Sequence, residues 1–159
     1  MTTNKIMVKM VVDRWQALLK IFDDNLDSIS DEQLLREIAP GKNRGIYILG
    51  HLIAAHEAML SLLDLGEPEH PELLDTFVTS PDKAIDSIPS PKELRALWKS
   101  QVETMMAKLE TLSPDDWFEK HNSISPEDFE KEPHRNKLNV LLTRVSHLSY
   151  HAGQIRLLK

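Results

Sequence analysis

His147 and His151 stand four residues apart near the end of the chain, in LTRVSHLSYHAGQI. On an α-helix four residues turn through about 400°, so both imidazoles leave one face, roughly one turn apart. Val140, Arg144, Ile155 and Leu158 fall on or beside that face. The pair therefore points inward, or at the mouth of a pocket, rather than into bulk water. Two such rings can bind one metal ion. His51 lies on an earlier helical stretch, sharing its face with Tyr47, Ile48, Ala54, Ala55, Ala58 and Leu62, and the alanines leave space beside it. Three inward imidazoles on two facing helices offer three neutral nitrogen ligands and leave a position for water or substrate. That is the pattern of a catalytic zinc-type site, and nickel or another divalent ion suits the same donors. The plainer alternative is that the histidines are hydrogen-bonded core residues that bind nothing.

Other metal and catalytic motifs fail. His56 and Glu57 begin like H-E-x-x-H, but Leu60 holds the second histidine position. The one Glu-x-x-His spacing, Glu67 to His70, falls in a proline-bounded loop rather than on a bundle helix. His56 is about 140° around its helix from His51, too far to share an ion, and reads as a surface or interface residue. His70, His121 and His134 lie in loops and read as solvated. There is no G-x-S-x-G, Walker loop or dinucleotide fingerprint.

The elements that must carry these histidines are helical. Val8, Val11, Trp15, Leu18 and Phe22 recur at three- and four-residue steps, which predicts a helix over about 5–28. Ser30 with Gln33 makes a capping box for a short helical turn. Pro40 to Asn43 break the chain before a second long helix, about Arg44 to Leu65, ending at Gly66. A third long helix starts at Ser90, with Pro91 at its first position and Glu93 closing the capping box; Leu94, Trp98, Val102, Met105, Leu109 and Leu112 form its stripe. Another short turn starts at Ser113 to Asp116, and the last helix runs from about Leu138 to Leu158. No strand-like alternation competes anywhere. Four long helices in one small chain predict an all-α, four-helix-bundle domain spanning residues 1–159. Its connections, 67–89 and 113–137, are long, which permits crossovers and a covered site.

Composition narrows the function. A chain of 159 residues with a formal net charge of −6 lacks the basic excess that nucleic-acid binding needs. With no cysteine, a disulfide framework, zinc–thiolate sites and a cysteine nucleophile are all excluded. The first ten residues, broken by Lys5 and Lys9, do not read as a secretory signal. The most apolar window, Ile46 to Leu65, contains His51, His56, Glu57 and Asp64 and is too polar for a membrane span. The expectation is a cytoplasmic protein that works on a small molecule and touches neither nucleic acid nor membrane. On the second helix, apolar side chains spread over about 260° where one core needs an arc of about 100° or somewhat more. Ile53, Leu60 and Leu63 fall on the excess arc. Twofold pairing with a second copy would cover it, and so would one of the long connections; the pairing is the expectation adopted.

Two segments carry a family resemblance. PGKNRGIYILGHLIAAHE, residues 40–57, resembles the start of the second helix in DinB-like proteins, the damage-inducible four-helix metalloproteins. HLSYHAGQI, residues 147–155, is similar to that family's His-x-x-x-His-x-Gly-Gln-Ile motif on the last helix. The resemblance implies an up-down-down-up bundle, metal ligation by His51, His147 and His151, and commonly a homodimer. It further implies chemistry of the kind known in relatives: transfer reactions using a low-molecular-weight thiol such as bacillithiol or mycothiol, or hydrolase- and isomerase-like reactions. The family name refers to DNA damage, but the acidic balance of this chain gives DNA binding no support.

The leading expectation is a metal-dependent transferase, with zinc or nickel holding a thiolate for attack on an electrophile. That thiol must come from a cofactor, because the chain has no cysteine. The rivals are metal-assisted hydrolysis with water in the open position and a non-catalytic dimeric binding bundle. Gln154, three residues after His151, can support a ligand or bind substrate, although the plainer reading is an ordinary polar helix residue. Arg144 can receive an anionic group or sit in a surface salt bridge. Tyr47 and Tyr150 can line the pocket or serve as core aromatics.

Overall fold

The computed structural model describes residues 2–159. Met1, the first residue of the expected domain, lies outside the described residues. Among the described residues all regular structure is helical, and extended pairing is limited to two isolated bridges, Glu37 with Arg44 and Lys120 with Asn136. Four helices are long: α1 (Thr3–Asp27), α3 (Gly45–Leu62), α5 (Pro91–Leu109) and α7 (Lys137–Ile155). Three are short: α2 (Asp31–Leu34), α4 (Glu72–Leu74) and α6 (Pro126–Lys131).

The caps fall where local chemistry puts them. Both predicted capping boxes form, Ser30 with Gln33 and Ser90 with Glu93. Each satisfies backbone donors that a helix start leaves open. α6 lies where the sequence predicts only a polar connection. Its signature matches that of α5: Ser125 caps the Asp128 amide and Pro126 takes the first turn. α3 stops at Leu62, before the expected Leu65. Asp64 adopts the left-handed conformation (φ 62°), and the Leu65 amide reaches back to the Leu60 carbonyl at 2.9 Å. This is a Schellman closure with Asp, which tolerates φ > 0, in the place usually taken by Gly. Gly66 (φ 121°) makes the following bend instead.

One core runs through all four long helices. α1 packs along α7, and α3 packs against both α5 and α7. Phe22 of α1 meets Trp98 of α5 with ring centroids 4.8 Å apart, and the Trp98 indole donates to Asp23 at 2.6 Å. α3 is the most enclosed helix. Ile53, Leu60 and Leu63, expected to face a second subunit, are at most 3% exposed within this single chain. Ile53 and Leu60 share a small cavity with Leu97 and Gln101 of α5 and with His70. The excess apolar arc is thus covered by α5 and the 67–89 connection, so the sequence argument for pairing through α3 does not hold. By length and composition α3 could cross a membrane, but 72% of that stretch is buried inside the protein.

Candidate metal centre

The three predicted histidines meet. His51 projects from α3 and His147 and His151 from α7, and one ring nitrogen from each lies within 4.8 Å of the others. Nε2 of His51 is 2.9 Å from Nε2 of His147, and Nε2 of His151 is 3.0 Å from that same atom. What holds the rings decides which nitrogens carry protons. Nδ1 of His51 lies 2.9 Å from the Phe77 carbonyl oxygen, which can only accept. Nδ1 of His151 lies 2.7 Å from Oε1 of Gln154, which also accepts. Both Nδ1 atoms therefore donate, and both Nε2 atoms present lone pairs to His147.

His147 Nε2 can bring one proton to two such acceptors, and its Nδ1 is buried with no partner. The trio is short of protons for a hydrogen-bonded network. Three converging imidazole nitrogens, two of them on rings whose opposite nitrogen is held by an acceptor, make a donor set that a divalent cation suits. Burial, followed by the neighbouring histidines and Arg144, pushes the His147 pKa down to about 4. His151 is also pushed down to about 4, by burial first, against an upward pull from Gln154. Both rings are therefore neutral at pH 7, the protonation state that ligation requires.

Comparison with known proteins gives the family and the fold. The family model of the DinB superfamily matches residues 10–155. The chain belongs to the DinB superfamily. Its fold is similar to the crystal structure of a conserved protein from Enterococcus faecalis, with 14% identity and a TM-score of 0.63, covering 99% of this chain and 97% of that one. At that identity the likeness speaks to the fold. No curated protein matches the chain.

Within this DinB-superfamily chain the other predicted residues take distinct places. Gln154 is not merely a polar helix residue, because its amide fixes the His151 ring. Tyr47 lies beside His51, with the rings nearly parallel and centroids 6.5 Å apart, and its hydroxyl donates to the Ser80 carbonyl at 2.7 Å. What Tyr47 offers a ligand is therefore its ring. Tyr150 is 64% exposed, with its ring in a T-shaped arrangement with His151 at 5.1 Å between centroids, and is not a core aromatic. Arg144 forms no salt bridge among the described residues, and its Nε is buried without a partner. His56, expected at a surface or interface, is buried between Trp15 and Trp98. The expectation failed because α3 is enclosed on nearly every side, so an angle from one core face says nothing about exposure. Glu57 is likewise buried, its carboxylate accepting from the His70 amide at 2.7 Å.

The sequence reading missed the Phe77 carbonyl. It comes from a π-helical turn, Asp75–Thr79, that continues α4. No side-chain pattern announces a backbone ligand support. The one available hint is Gly50: a Cβ there would come within 2.5 Å of the Phe77 ring. Only a glycine beside His51 lets that turn lie so close to α3.

Proposed function

We propose that the chain is a metal-dependent enzyme in which Nε2 of His51, His147 and His151 holds one divalent ion, zinc or nickel, and that it transfers a low-molecular-weight thiol to an electrophilic small molecule. The observation that supports this reading most is the proton shortage of the trio, with two lone pairs aimed at one ring nitrogen at 2.9 and 3.0 Å. When bound, such an ion supplies Lewis acidity and lowers the pKa of a thiol or water beside it. The residues of the chain do the positioning. The Phe77 carbonyl and Gln154 fix two imidazoles, and burial keeps His147 and His151 unprotonated. The Tyr47 ring flanks His51 as a wall for a bound molecule. Thiol transfer is taken as the leading member of the chemistries that the family resemblance implies, with hydrolysis as its rival, and the absence of cysteine means the thiol must be a small molecule. The same absence fits a reducing compartment, and we place the protein in the cytoplasm.

The test is turnover of an electrophile with metal-free and metal-loaded protein, each with and without added thiol. Activity should require both metal and thiol. An active metal-free preparation would reject the reading, and metal-dependent turnover that ignores thiol would make the protein a hydrolase.

An up-down-down-up order of the four long helices is part of the same proposal. Met10 and Leu142 line one groove and Asn25 bonds to Ala152, so α1 and α7 run the same way. Gly45 lies against Leu158 and His51 against His147, which opposes α3 to α7. Arg95 reaches the Ile29 carbonyl and Gln16 lies by Met106, which opposes α5 to α1. We place the homodimer implied by the family on the face where α1 and α7 expose Met7, Met10 and Leu142.

A further inference from the structure

Four arginines are half-buried: Arg44, Arg95, Arg135 and Arg144. Arg44 is paired with Asp82, Arg95 with Asp31 and two backbone carbonyls, and Arg135 with Glu132. Arg144 alone has neither a carboxylate nor a hydrogen bond among the described residues, and its buried Nε is an orphan. Only the Nε is shut off from water, and even partial desolvation of a guanidinium without an anion is costly, which is why the other half-buried arginines carry partners. Burial lowers the Arg144 pKa with no countering acidic neighbour.

Its place on α7 gives this meaning. Arg144 is three residues before His147 and seven before His151. It lies within about 60° of both around the helix and about one turn below His147. Near it, Nδ1 of His147 becomes a donor once Nε2 is a ligand, and the neutral His56 ring makes no hydrogen bond to Arg144 although both of its nitrogens lack partners. The metal group itself contains no carboxylate. A divalent ion on three neutral imidazoles would add two positive charges beside a guanidinium and leave the whole cluster without a negative group. What this site lacks is an anion that spans the two.

We propose that Arg144 is the anion subsite of the three-histidine centre and receives a carboxylate of the small-molecule substrate or thiol. The inference rests on the metal reading above and extends it to a ligand class: a small organic acid whose metal-binding group lies a few bonds from its carboxylate. A planar guanidinium suits a carboxylate in two parallel hydrogen bonds, which lysine cannot reproduce.

The test compares mercaptosuccinate with uncharged 2-mercaptoethanol. Binding to cobalt-loaded wild type, Arg144→Gln and Arg144→Lys is followed by thiolate-to-metal absorption, after metal content and folding have been measured for each. Wild type should favour mercaptosuccinate by on the order of tenfold or more. Arg144→Gln should hold the same metal and the same 2-mercaptoethanol affinity but lose the preference, and Arg144→Lys should keep part of it. Equal affinity of wild type for the two thiols, or an undiminished preference in Arg144→Gln, would overturn the proposal. If wild type binds no metal, the metal reading fails by itself. Succinate-induced thermal stabilisation of the metal-free protein then decides the anion site: a shift lost in Arg144→Gln supports it, and no shift in wild type overturns it.

Discussion

His56 lies with its ring 5.7 Å from Trp15 and 5.2 Å from Trp98, and neither of its nitrogens has a partner. Burial, with Arg144 and His147 nearby, pushes its pKa down to about 3. In the unfolded chain the ring titrates near 6.5. Below that pH the unfolded state binds a proton the folded state refuses, so stability present above pH 6.5 is lost as pH falls toward 3. His147 and His151, held at about 4, act in the same direction. Metal-free protein should therefore melt at progressively lower temperature between pH 7 and pH 4. His56→Phe removes one titrating ring and two unsatisfied nitrogens. It should raise stability at pH 7 by about 1 kcal/mol and flatten the acid slope in thermal unfolding. A lower melting temperature with an unchanged slope would mean that the ring nitrogens have partners after all. At this scale much of the site was legible. An i,i+4 pair on an apolar face, plus one histidine on another apolar face, sufficed to name the three residues the fold brings together. His56 was misplaced because a helical wheel assumes a single buried side, and Gln154 was undervalued although its i,i+3 spacing from His151 was in plain view.

Helix starts were readable because each rests on local chemistry: Ser30, Ser90 and, overlooked, Ser125. The end of α3 was not, because the left-handed residue is Asp64 rather than the conspicuous Gly66. The π-helical turn at Asp75–Thr79 was invisible as such, since nothing in DTFVT demands that geometry and only packing against α3 selects it. That packing makes Gly50 a specific target. Gly50→Ala puts a methyl into the Phe77 ring, displaces the turn and moves its carbonyl away from His51. Overpacking of this kind costs about 1–3 kcal/mol. Loss of a ligand-orienting contact lowers metal affinity by about 10–100-fold. Gly153→Ala is the matched control: it is exposed on α7 with open space around its Cβ position, so it should hold or gain stability and keep metal affinity. Competition with a chromophoric chelator reads both variants, and equal affinities would remove the π-helical turn from the site.

The whole chain wraps α3, which lets two α7 histidines and one α3 histidine meet in a partly buried place. It also moves the expected dimer contact. Leu60, 3% exposed, belongs to the core of the chain itself, so Leu60→Glu should unfold the protein rather than dissociate it. Met10, 67% exposed on the α1–α7 face, is where a charge should turn a dimer into folded monomers, as read by sedimentation. A wild-type monomer at tens of micromolar would sink the dimer. The central claim is the metal, and metal content per chain tests it most directly. Protein purified without a histidine tag should carry one divalent ion per chain. His147→Ala or His151→Ala should remove most of it, and His56→Phe should leave it unchanged. A wild type that binds no divalent ion, or metal lost in the His56 variant but retained in His51→Ala, would contradict the account.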